Sequence, residues 1–107
     1  MKKRINHSEA ELEILRKIEA NPNVTQRQMA KNLDMSLGKI NYLIQALLSK
    51  GFLMVSNFKG SDNKLGYLYL LTPEGVETKK KLTILFLQRK SDEFDKLKKE
   101  MEHINNL

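Results

Sequence analysis

The sequence predicts a mostly α chain with one small β-hairpin, an α+β arrangement of three helices, the hairpin and a long C-terminal helix. Three observations carry this expectation. Helix-capping residues stand at Thr25 and Ser36, each followed by apolar residues at helical spacing. Two runs of strand formers, 53–58 and 66–71, flank the polar stretch K-G-S-D-N-K. After Thr72 and Pro73, residues 76–105 contain neither glycine nor proline.

Each element has its own local signal. Ser8 and Glu11 have the S-x-x-E spacing of a capping box, so the first helix is expected to start at Ser8. Leu12, Ile14, Leu15 and Ile18 form its buried stripe, and the turn residues N-P-N at 21–23 stop it. Thr25 and Gln28 make a second capping box, with Val24 and Met29 placed as a hydrophobic staple across it. This helix runs to about Leu33, and Asp34 with Met35 leaves room only for a sharp corner. Ser36 caps the third helix, Met35 and Ile40 repeat the staple, and Ile40, Leu43, Ile44, Leu47 and Leu48 are its core stripe. Gly51 stands where a glycine ends a helix. Thr72, Pro73 and Glu74 open the last helix with an N-cap, a first-turn proline and an acid at the positive end.

Two closely spaced helices followed by a basic two-stranded ribbon are the order of a winged helix-turn-helix. Residues 1–75 are assigned to that unit and residues 76–107 to a C-terminal helix. The second half of this helix has a heptad seam: Leu87, Phe94 and Met101 at one position, Leu97 and Ile104 at the other, interrupted by Lys90. So small a domain cannot cover the seam along its whole length. The expected occupant is a second copy of the chain, making these five residues a coiled-coil dimerisation element.

The totals exclude more than they identify. At 107 residues the chain supports one modest core. Without cysteine there are no disulfides, thiolate metal sites or cysteine nucleophiles. The basic opening M-K-K-R is not followed by an apolar run, and the apolar residues near 82–87 fall far short of the ~20 a spanning helix needs. A cytoplasmic protein with no membrane partner is the reading, although residues 79–87 leave surface binding to lipid as a weak alternative. The two histidines, His7 and His103, are read as isolated, and no phosphate loop or nucleophile elbow is present. No catalytic residue, cofactor or metal is expected.

The net charge of +6 is unevenly placed. Residues 21–64 hold six bases against two acids, whereas the first helix has Glu9, Glu11, Glu13 and Glu19 against Arg16 and Lys17. A basic centre beside an acidic flank is the footprint of a polyanion-binding face, although composition alone favours a merely solvated basic surface; double-stranded DNA is the polyanion expected here. If the third helix enters a major groove, Ser36, Gly38, Lys39, Asn41, Tyr42 and Gln45 are its outer and flanking residues. Lys39 suits guanine acceptors, Asn41 or Gln45 suits adenine, and Tyr42 suits a phosphate or sugar. Gly38 costs about 1 kcal/mol of helix propensity relative to alanine. Close approach of a phosphate and relief of packing against the second helix account for it equally well. Thr25, Gln26 and Arg27 lie at the start of the second helix, whose free N–H groups suit a phosphate. Lys59, Asn63 and Lys64 belong to the hairpin tip, with the two lysines placed to reach the backbone or minor groove. The competing function is a winged-helix module that docks protein through its last helix and selects no DNA site.

The string T-Q-R-Q-M-A-K-N-L-D-M-S, followed by L-L-T-P-E-G, resembles the MarR family of winged-helix regulators. S-L-G-K-I-N-Y, N-F-K-G-S-D-N-K-L-G-Y-L-Y-L-L-T-P-E-G and F-L-Q-R-K are similar to its small branch associated with extracellular-polysaccharide (EPS) gene clusters. The resemblance implies a homodimeric bacterial transcriptional regulator. It also implies that Ser36, Lys39, Asn41 and Tyr42 are recognition-helix positions and that Asn63 and Lys64 are wing-tip positions. Larger members usually carry an acid-then-arginine pair in the wing, near which Asn63 and Lys64 stand here, and they dimerise through helices at both ends. Only residues 76–107 are available for that here, and any effector is unspecified.

Overall fold

A computed structural model describes residues 6–59 and 65–107, with the backbone alone for 57–59 and 65–67. The elements are α1 (His7–Ala20), α2 (Gln26–Leu33), α3 (Leu37–Ser49), β1 (Leu53–Lys59), β2 (Leu65–Leu71) and α4 (Pro73–Asn105). The strands form one antiparallel pair in which Leu53 faces Leu71 and Val55 faces Tyr69. The molecule is elongated, 68 × 31 × 22 Å, because α4 outruns the rest.

The local signals explain most helix ends. Thr25 and Gln28 exchange both capping-box hydrogen bonds, at 3.1 and 2.8 Å. Ser36 Oγ accepts from the Lys39 N–H at 3.0 Å, and Thr72 Oγ1 accepts from the Gly75 N–H at 3.0 Å. The α2–α3 corner is made by Asp34, which adopts φ 52°, a left-handed conformation that aspartate tolerates better than most residues. At the end of α3, Gly51 has φ 78°, its N–H donates to Leu48, and the Phe52 N–H donates to Leu47. Those paired bonds are a Schellman ending, and the left-handed residue at its centre favours glycine.

The start of α1 departs from expectation. Its cap is Asn6, whose Oδ1 accepts from the Glu9 N–H at 2.7 Å, and Ser8 lies inside the first turn. Glu11, expected to complete a box with Ser8, is 5% exposed and turns inward to Lys50 at the far end of α3. A charged partner brought in by the tertiary fold outcompetes a local backbone N–H.

The core is made where the helices meet. Ile14, Leu15 and Ile18 of α1, Met29 of α2, and Ile40, Leu43, Ile44 and Leu47 of α3 are buried together with Val24 and Leu53. Leu48 is only partly buried at its edge, as are Ala30, Met35, Tyr69 and Leu71. Leu82 of α4 packs on the same cluster, and the Lys79 ammonium pairs with Glu19 of α1. The first half of α4 is thus docked on α1. That docking occupies part of the 79–87 face considered above for lipid, and among the described residues no helix is long and apolar enough to cross a membrane.

One close approach fixes where α4 begins. A Cβ placed on Gly75 would lie 2.0 Å from the Phe52 carbonyl oxygen and 2.9 Å from its carbon. The Phe52 carbonyl also accepts the Thr72 N–H at 3.1 Å, and the Thr72 hydroxyl donates to the Gly51 carbonyl at 2.5 Å. The end of α3, the root of the hairpin and the first turn of α4 therefore share one junction.

Candidate nucleic-acid interface

The period of α3 sets its outer face. Ile40, Leu43, Ile44 and Leu47 point into the core, so Gly38, Tyr42 and Gln45, spaced i, i+4, i+7, form the opposite stripe. Lys39 and Asn41 flank that stripe on either side, and all five residues are exposed. No atom lies within 4 Å of a Cβ built on Gly38. Relief of packing against α2 is therefore excluded as the reason for this glycine.

The flanks are held by different neighbours. On one side Tyr42, 61% exposed, has the Lys39 ammonium 5.8 Å from its ring centroid and the His7 ring edge-on at 6.5 Å. On the other side Asn41 Nδ2 donates to Gln26 Oε1 at 3.3 Å, and Gln26 Nε2 donates to the Tyr69 hydroxyl at 3.1 Å. Thr25, Gln26 and Arg27 form the start of α2 beside this chain, with Thr25 as the cap and Arg27 exposed. Ser36 is exposed and serves as the α3 cap. Lys59 closes β1 opposite Leu65, with its side chain outside the described residues, as are Asn63 and Lys64 entirely.

His7 is not isolated. Its Nε2 lies 2.7 Å from Glu11 Oε1, the oxygen that also takes the Lys50 ammonium at 2.9 Å. The i,i+4 spacing of His7 and Glu11 was the signal for this pair. The pairing also means that Lys50 already has a carboxylate partner, so the basic surface of α3 is carried by Lys39. Tyr69 is the other residue that sequence reasoning missed. Only the strand register brings it beside α2, where its N–H also donates to Pro22 at 3.4 Å.

Beyond the docked half of α4, every residue from Leu87 onward is exposed. The seam residues Leu87, Phe94, Leu97, Met101 and Ile104 are 67, 64, 60, 56 and 58% exposed. Lys90, which breaks the seam, lies 5.3 Å over the Phe86 ring and 3.6 Å from Glu93. Among the described residues no cluster of three metal-ligating side chains occurs.

A family model described as winged helix-turn-helix DNA-binding matches residues 8–54. No curated protein matches the sequence. Solved structures do match in fold. A MarR family transcription regulator superposes with a TM-score of 0.55 at 21% identity, over 82% of this chain and 52% of that one. The Staphylococcus aureus MepR–DNA complex gives 0.62 at 18% identity, over 83% of this chain and 61% of that one. The transcriptional repressor CouR, bound to a 23-mer DNA duplex, gives 0.62 at 19%, over 88% and 63%. This chain thus spans between half and under two thirds of the length of these three proteins. The fold is a winged helix with an antiparallel two-stranded wing and a long C-terminal helix.

Proposed function

We propose that this chain is a sequence-specific DNA-binding transcriptional regulator of the MarR type. The observation that carries the reading is the outward stripe of α3, where Gly38, Tyr42 and Gln45 stand exposed between Lys39 and Asn41. A helix that offers cationic, amide and hydroxyl groups, and a bare backbone at its first turn, suits a major groove. A protein-docking face would instead offer apolar anchors. The relatives solved on DNA, MepR and CouR, share this fold and add weight to the same reading.

In this role Lys39 takes guanine acceptors, Asn41 or Gln45 reads adenine, and Tyr42 contacts the backbone. Thr25, Gln26 and Arg27 at the head of α2, with Ser36, meet phosphates, and Lys59, Asn63 and Lys64 extend the contact along the wing. The exposed seam on α4 supports homodimerisation through Leu87, Phe94, Leu97, Met101 and Ile104. Two copies would read a pseudo-palindromic site with half-sites about one helical turn apart. The resemblance of the wing string from Asn57 to Gly75 to the EPS-associated branch is the ground for proposing EPS biosynthesis genes as the target.

Selection from random DNA at two salt concentrations, with mass measured by light scattering on the same sample, tests the proposal. The expected result is one enriched palindromic motif, a dimeric mass, and an affinity loss of roughly 10³-fold between 50 and 200 mM salt for ~6 phosphate contacts. An unenriched pool with a flat salt response would instead support a protein-docking module that uses the α4 seam.

A further inference from the structure

The Gln26 amide is engaged by protein at both ends. Its oxygen accepts from Asn41 Nδ2 at 3.3 Å, and its nitrogen donates to the Tyr69 hydroxyl at 3.1 Å. The three side chains come from α3, the first turn of α2 and the wing strand β2, so one relay links both helices of the candidate interface to the wing. Tyr69 is its rigid end. It is half-buried and packed on the core, and its strand position is fixed by pairing with Val55. Asn41 is its exposed end, on the face assigned to the bases.

We propose that Tyr69 and Gln26 are positioning residues that hold the Asn41 side chain in the orientation used to read a base. This deepens the DNA-reading role of α3 and rests on it. The stereochemistry of a carboxamide makes the arrangement productive. Bidentate recognition of adenine uses the amide oxygen and the hydrogen on the same side, which leaves the other hydrogen free for a protein acceptor. With its nitrogen turned to Gln26, Asn41 keeps its oxygen and one N–H for the ligand. An exposed asparagine without such an acceptor samples several rotamers and loses that freedom on binding. A side chain already held is selective at lower cost, because a mismatched base cannot recruit another rotamer.

The test uses the full-length protein and separates the relay from the DNA-reading premise. Tyr69→Phe keeps the packed ring and deletes the hydroxyl, and Gln26→Leu deletes the link itself. In the free protein, NMR of the Asn41 side-chain amide should show shifted Nδ2 resonances and greater mobility in both variants. On the site selected by the wild-type protein, Asn41→Ala identifies the base pair that Asn41 reads. Tyr69→Phe should then lose about 3- to 10-fold of the discrimination at that base pair. Discrimination at the base pair assigned to Lys39, affinity for random DNA and the melting temperature should stay near wild type. A merely structural role for Tyr69 would move all of these together. The proposal is overturned if the Asn41 amide is unmoved in both variants. It is also overturned if Tyr69→Phe discriminates as the wild type does while Asn41→Ala does not. Failure of the premise looks different, because the wild-type protein then selects no site.

Discussion

Replacing Gly38 with alanine separates what the fold needs from what a ligand needs. Gly38 is helical, in the first turn of α3, and a Cβ added there meets no atom within 4 Å. Alanine should therefore stabilise the free protein by about 0.4–1 kcal/mol, chiefly by restricting the unfolded chain. At 4–8 °C per kcal/mol for a domain near this size, the melting temperature should rise by roughly 2–8 °C. Binding should move the opposite way. Gly38 shares the outward stripe with Tyr42 and Gln45, so the new methyl would stand between α3 and the DNA. Backing the helix away to admit it lengthens the contacts from Lys39 and Asn41, each worth ~1–3 kcal/mol when bidentate. Loss of one such contact lowers affinity for the selected site by about 10-fold or more. No charge is altered, so the salt slope should not change. Thermal melts and fluorescence anisotropy on the selected site measure both effects. A variant that melts higher and binds DNA as tightly as the wild type would refute the argument, since nothing would then approach Gly38.

Gly75→Ala should do the reverse of Gly38→Ala. Its Cβ falls 2.0 Å from a backbone carbonyl oxygen. Overpacking against main chain costs more than the ~1 kcal/mol of helix propensity gained, so urea denaturation should show a loss of about 2 kcal/mol. Unchanged stability would mean that α4 can shift without penalty. Lys39→Ala should relax preference at one base pair by roughly 1–3 kcal/mol, and an unchanged ratio of selected to random DNA binding would remove Lys39 from the reading face. Phe94→Glu combined with Leu97→Glu should give a monomeric mass by light scattering and weaker operator binding, while helix content by circular dichroism is retained. A mass identical to wild type would remove the α4 seam from dimerisation.

What was legible in the sequence followed the range of the interaction. Caps and staples act over three to five residues, so Thr25–Gln28, Ser36, Gly51 and Thr72–Pro73 could be read directly, and with them α2, α3 and the start of α4. The outer residues of α3 were legible too, because the helical period assigns them once the core stripe is known. Ser8–Glu11 shows where this reasoning ends. The spacing was right for a local cap, but Glu11 is claimed by Lys50 of α3, and Asn6 takes over as the cap. The role of Gly38 depends on the open space around it, which no local pattern encodes. Tyr69 was hidden for a similar reason: strand register and the placement of α2 bring its hydroxyl to Gln26, 43 residues away.

The junction of Gly51, Phe52, Thr72 and Gly75 has a mechanical consequence. Two hydrogen bonds and the close approach of Gly75 to the Phe52 carbonyl tie the root of α4 to the end of α3. The 33 residues of α4 form a rod of about 50 Å. A tilt of ~5° at the root displaces the far tip by ~4 Å over that length. Any such tilt is passed through the shared junction to α3, the helix proposed to read DNA. In the proposed dimer, the angle at which the two rods cross would set the gap between the two α3 faces, and so the spacing of the DNA they could span.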